Sequence, residues 1–111
     1  MMRTRGEREL ETALQRCRAE LASLYGLELE GVVLYGSMAR GDAEEGSDMD
    51  LLVVLRNHFD YCSEVRRIVD ALYPIQLETD ALISAKPALA EHYNEGRLQL
   101  YRNARREGRW L

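Results

Sequence analysis

Apolar residues recur at Leu10, Leu14, Cys17, Leu21 and Leu24, in steps of three and four, and most residues between them are charged or polar. That spacing draws one apolar stripe along a helix over about residues 5–25. Gly26 follows, placed to end the helix in a left-handed conformation. The period then changes. Gly-Val-Val-Leu-Tyr-Gly at 31–36 predicts a short strand, and Asp-Met-Asp-Leu-Leu-Val-Val-Leu at 48–55 a second, buried on both faces toward its far end. A helix over 61–73 puts Val65, Val69 and Leu72 on one face, and Pro74 is expected to stop it. Residues 75–83 alternate apolar Ile75, Leu77, Ala81 and Ile83 with polar Gln76, Glu78 and Asp80, which predicts a third strand with one face on the core. Ser84 is placed to cap a further helix with Pro87 early in it, and Leu89 and Tyr93 face inward until Gly96. A last helix over about 97–107 carries Leu100, Tyr101 and Ala104 before Gly108.

This order of elements predicts an α/β or α+β fold, a small mixed sheet with flanking helices. The 111 residues fit one domain, 1–111, and 46% hydrophobic residues supply a core. No apolar run reaches the roughly 20 residues of a membrane-spanning helix, and the charged start of the chain lacks the apolar stretch of a secretory signal. A cytoplasmic setting is expected. The net charge of −4 argues against direct nucleic-acid binding, which depends on neutralising phosphates. Against that average, Arg97, Arg102, Arg105, Arg106 and Arg109 crowd the tail, residues 97–110, against one acid, Glu107. They read as a solvated face, or else as a basic surface for an acidic partner or nucleotide phosphates. Cys17 and Cys62 have no partner at ligand spacing and read as partly buried apolar residues.

The chemistry concentrates in Gly-Ser-Met-Ala-Arg-Gly-Asp-Ala-Glu-Glu-Gly-Ser-Asp-Met-Asp, residues 36–50. Gly36 lets the backbone come close to a ligand. Ser37 adds a hydroxyl and opens a short helix over 37–40, whose free N–H groups attract phosphate. Asp48 and Asp50, two apart on a strand, point to the same side. Two adjacent carboxylates repel unless a cation sits between them. Mg²⁺ is the usual hard cation for such oxygens, and it favours sites that substrate phosphates complete. Asp80, on the polar face of the third strand, would be a third acid for a two-metal arrangement, with Glu78 as the fallback. Gly-Ser, ten residues, then Asp-x-Asp arises by chance at roughly one in 10⁵ starting points, so its presence in so short a chain calls for a function.

Residues 34–54, Leu-Tyr-Gly-Ser-Met-Ala-Arg-Gly through Ser-Asp-Met-Asp-Leu-Leu-Val-Val, resemble the signature of the minimal nucleotidyltransferases of the polymerase-β-like superfamily. The resemblance implies transfer of a nucleoside monophosphate from a nucleoside triphosphate, ATP by family habit, to a hydroxyl, with release of pyrophosphate. It implies that Asp48 and Asp50 bind two Mg²⁺ ions, that Asp80 binds one of them and helps deprotonate the acceptor, and that Gly36 and Ser37 hold the β and γ phosphates. Arg40 would contact phosphate or pair with the acidic loop at 42–45.

Larger relatives carry a second domain for the acceptor, which is not expected here, so another protein would present the hydroxyl. Small proteins of this kind are similar to antitoxins paired with HEPN-family ribonuclease toxins. That resemblance implies AMP transfer to a toxin tyrosine within a hetero-oligomer. Two alternatives stand beside it: an antitoxin that neutralises by binding alone, and a small-molecule nucleotidyltransferase completed by a partner subunit. His58 and His92 are isolated and carry no expected chemistry. Tyr35, Tyr93 and Tyr101 read as packing residues, the last two as core or partner contacts.

Overall fold

The computed structural model describes residues 4–41 and 47–111. Helix α1 runs Arg5–Tyr25, with the Thr4 hydroxyl accepting from the Glu7 N–H at its start. A single 3₁₀ turn, Gly26–Glu28, leads into strand β1, Leu29–Tyr35. The short helix α2, Ser37–Arg40, follows, and strand β2 spans Met49–Leu55. Helix α3 is Tyr61–Leu77, capped by the Asp60 carboxylate on the Ser63 N–H at 3.0 Å. Strand β3, Ile83–Leu89, precedes helices α4, Ala90–Glu95, and α5, Gln99–Glu107, and a two-residue strand β4, Arg109–Trp110.

The sheet order is β3-β2-β1-β4. β1 runs antiparallel to β2 and β4, whereas β2 and β3 are parallel, joined by the α3 crossover. This is the expected α+β fold with a small mixed sheet. Its central strand, β2, is apolar on both faces because both are covered. Leu51, Val53 and Leu55 pack with Leu14, Cys17 and Leu21 of α1 and with Ile68, Leu72 and Ile75 of α3. Leu52 and Val54 pack on the other face with Tyr93 of α4 and Ala104 of α5. Each buried Leu, Ile or Val among them contributes about 1.5–3 kcal/mol relative to its exposed state. Among the described residues no helix is long and apolar enough to cross a membrane.

Three expectations change. Pro74 does not stop α3, which continues to Leu77. Proline removes one backbone donor, but the next turn is held by burial of Ile75 and by the Thr79 hydroxyl donating to the Ile75 carbonyl at 2.6 Å. Consequently residues 75–83 are not a strand. Their alternation comes from a helix end followed by a turn. Gln76 closes that turn, its amide donating to the Ala81 carbonyl at 3.0 Å while its carbonyl oxygen accepts from the Ile83 N–H at 2.7 Å. The strand begins at Ile83, and Ser84 and Pro87 lie within it rather than at a helix start. Pro87 is tolerated because β3 is an edge strand, with one side free of ladder bonds. The cysteines also divide: Cys17 is fully buried in the core, which pushes its thiol up to about 11, and Cys62 is exposed.

β4 was too short for any periodic signal. It docks through Trp110, which lies over Gly31 and meets the Tyr93 ring edge-on at 5.8 Å. A Cβ on Gly31 would come within 2.5 Å of the indole. Gly31→Val is therefore expected to displace the half-exposed indole and to lower stability modestly, by about 1 kcal/mol. Denaturant unfolding measures the loss. Trp110 is the only tryptophan, so its emission should shift to the red in the native variant. Unchanged emission and stability would contradict this packing.

Candidate functional site

The end of β1 lies beside the start of β2, with Tyr35 opposite Asp50 in the antiparallel register. The chain then turns sharply at Gly36, whose φ of 78° and ψ of −159° suit glycine alone. Space imposes the same choice. A Cβ on Gly36 would collide with the Asp50 carboxylate, whose carbon lies 3.3 Å from that position. The Gly-Ser turn is thus packed directly against the acid. Ser37 opens α2, and the Arg40 N–H donates to the Gly36 carbonyl at 3.2 Å.

Asp48 is exposed at the entry to β2, and Asp50 is half-buried two residues on. Burial raises the Asp50 carboxyl above the usual carboxylate range, and the Asp48 charge raises it further; Lys86 and Arg40 act against both. Tyr35 beneath them is buried, and burial together with the Asp50 charge pushes its hydroxyl up to about 12. The acid pair fits a hard divalent cation. It offers oxygen donors only, Lys86 and Arg40 offset its repulsion only in part, and Asp48 is open to solvent, where phosphate oxygens could join it.

Asp80 does not join the pair in a three-acid group among the described residues. It lies in the bend before β3, exposed, and not on a strand beside β2. It lines a cleft of about 1010 Å³ together with Leu14, Leu34, Met38 and Ser47, on the α1 side of the sheet. Asp50 belongs to the opposite side, the one Leu52 and Val54 share with α4 and α5. The cause is the Gln76 turn, which brings the chain into β3 from the α1 and α3 side. Glu78, the fallback acid, pairs with Arg16 of α1. Among the described residues no three acidic, histidine or cysteine side chains gather as a metal site.

Arg40 reaches Glu107 of α5 at 3.3 Å, tying the Gly-Ser turn to the end of the chain. Hydrogen bonds from Arg106 and then Arg40 hold the Glu107 carboxyl below its usual range. Residues 42–45, the other partner expected for Arg40, lie outside the described residues. The basic tail is largely engaged within the fold: Arg97 with Glu95, Arg102 with the Gly96 carbonyl, Arg106 with Glu107 and Arg109 with Glu11. Lys86 was missed altogether. Reading residues 84–95 as a helix hid its place beside Asp50.

The pair's repulsion has a measurable consequence. The folded protein holds the Asp50 proton more tightly than the unfolded chain does. Ionisation therefore works against the fold as pH rises from the ordinary carboxylate range through the raised value. Asp50→Asn is expected to melt at a higher temperature than the wild type at neutral pH without divalent metal. The difference should vanish in acid, where both side chains are neutral. Thermal melts across pH check this, and equal melting temperatures at neutral pH would contradict it.

The nucleotidyltransferase domain model matches residues 14–111. A relative from Methanocaldococcus jannaschii, named "Putative protein adenylyltransferase MJ0604", is 32% identical over 102 residues, covering 91% of this chain and 96% of its own. A second from the same organism, "Putative protein adenylyltransferase MJ0141", is 29% identical over 76 residues, covering 68% of this chain and 76% of its own. Among solved structures, a nucleotidyltransferase from Sulfolobus solfataricus, so described only provisionally, superposes with a TM-score of 0.61 at 18% identity, over 99% of this chain and 89% of its own. A structure described as "the toxin-antitoxin with AMP-PNP" superposes with a TM-score of 0.51 at 16% identity, over 90% of this chain and 70% of that one. With the Gly-Ser turn set against the paired aspartates and the family model spanning nearly the whole chain, the protein belongs to the nucleotidyltransferase domain family.

Proposed function

We propose that the protein is an antitoxin that transfers AMP from ATP to a hydroxyl, a tyrosine, of a HEPN-family ribonuclease toxin. The observation that carries the transfer is the contact between the Gly36 turn and the Asp50 carboxylate, which sets a phosphate-binding backbone directly against a cation-binding pair. The names of the adenylyltransferase relatives support a protein acceptor, and the toxin–antitoxin neighbour supports the partner.

In this reading the Gly36 and Ser37 backbone and the Ser37 hydroxyl hold the β and γ phosphates. Asp48 and Asp50 would hold Mg²⁺. When bound, the metal supplies charge neutralisation at the phosphates and brings the acid pair and the triphosphate together. The acceptor oxygen forms a bond to the α-phosphorus, the bond from that phosphorus to the β-phosphate oxygen breaks, and pyrophosphate leaves in line with the attack. The hydroxyl proton passes to water. Arg40, anchored by Glu107, keeps the turn in place beside the pair. Added AMP would put a bulky, charged group on the toxin where RNA must bind.

One observation favours a second reading, an antitoxin that acts by binding alone: among the described residues no third acid gathers with the pair as a metal group. Intact-mass spectrometry separates the readings. The toxin encoded beside this chain is incubated with it, ATP and Mg²⁺, in parallel with Asp48→Asn. The wild type is expected to add one or more AMP units, and Asp48→Asn none, although it still binds the toxin. An unchanged toxin mass in a stable complex would favour binding alone.

A further inference from the structure

The chain holds fourteen arginines and one lysine, Lys86. That lysine stands beside the acid pair. In the parallel register of β2 and β3, Asp50 lies opposite Ser84 and Leu52 opposite Lys86. Side chains two apart on a strand share a face, so Ser84 and Lys86 lie on the Asp50 side of the sheet. Ile83 and Ala85 pack on the other side, against the α1 and α3 core.

Two cations therefore flank Asp50. Arg40 comes from the β1 side and is held by Glu107. Lys86 comes from the β3 side and is exposed, and no salt bridge among the described residues engages its ammonium. It is near enough to Asp50 to counter the rise of that carboxyl. Adjacent strands are about 5 Å apart. Gly36 and Lys86 thus bracket the acid pair from opposite sides, two strand spacings apart in the sheet order. Phosphoryl transfer sets the leaving and attacking oxygens on opposite sides of the transferred group. With the terminal phosphates on the Gly36 side, the transferred phosphoryl lies over the pair, facing β3.

We propose that Lys86 binds the α-phosphate of the nucleotide, the group to be transferred, from the side opposite the Gly36–Ser37 turn. The inference rests on the transferase reading above and adds a residue to it. A single ammonium on a flexible stem suits a phosphoryl group that changes shape and charge during transfer, better than the planar, bidentate guanidinium used elsewhere in the chain. Lysine on an edge strand also discourages strand pairing between molecules, a role that requires no ligand.

Calorimetric titration with Mg²⁺ tells these roles apart. The probes are AMP, which carries the α-phosphate alone, and α,β-methylene-ATP, which carries all three phosphates and resists cleavage at the bond in question. Lys86→Met is expected to weaken both probes by the same factor, about tenfold, the loss of one charge-assisted contact. Lys86→Arg should restore part of the loss. Ser37→Ala should weaken the triphosphate analogue and leave AMP alone. If Lys86→Met binds AMP as the wild type does, the proposal is overturned and the lysine guards the sheet edge. A selective loss of the triphosphate analogue would overturn it too, placing Lys86 on the terminal phosphates. If the wild type binds neither probe, the transferase reading itself fails.

Discussion

The approach of the Gly36 backbone to the Asp50 carboxylate is the contact on which the site depends. It needs a residue without a side chain, a backbone conformation open to glycine alone, and a strand register that sets Tyr35 opposite Asp50. That register in turn needs β2 to be buried on both faces. A slip of one residue would turn the acids into the core and Met49 and Leu51 out of it. The core beneath the sheet therefore fixes the chemistry at its edge. Leu51 and Val53 hold one face and Leu52 and Val54 the other, and Asp48 and Asp50 emerge only where the helices no longer cover the strand.

Electrostatics sets the character of that edge. Two carboxylates share one side of a strand end, and the more buried one is driven toward protonation. A stable fold tolerates this because cations stand on either side. Arg40 pairs with Glu107 of α5, and Lys86 lies on the sheet edge on the Asp50 side. In the proposed function such a site would take up a metal and an anion together. Each would relieve a charge that the other leaves exposed.

The parts of the candidate site that lie near one another in sequence could be placed together from it. Gly36, Ser37, Asp48 and Asp50 fall at the junction of two strands that pair directly, so local pattern was enough to bring them together. The long helix α1 was equally readable from its single period, and β1 and β2 from their short, β-branched apolar runs. The sequence pattern misleads where a side chain takes over the work of the backbone. Gln76 bonds to the chain at Ala81 and Ile83, and the resulting turn mimics the alternation of a strand. That displaced β3 by eight residues at its start, removed the strand beneath Asp80 and hid Lys86. β4 could not be read either, since two residues carry no period and Trp110 is placed by Gly31 and Tyr93, far away in sequence.

The most direct test of the account is where a metal–nucleotide complex binds. Crystals soaked with Mn²⁺ and α,β-methylene-ATP would locate the metal by its anomalous scattering. The account predicts a peak between Asp48 and Asp50, with the terminal phosphates on the Gly36–Ser37 turn. A peak in the cleft beside Asp80, or triphosphate density away from Gly36, would contradict it.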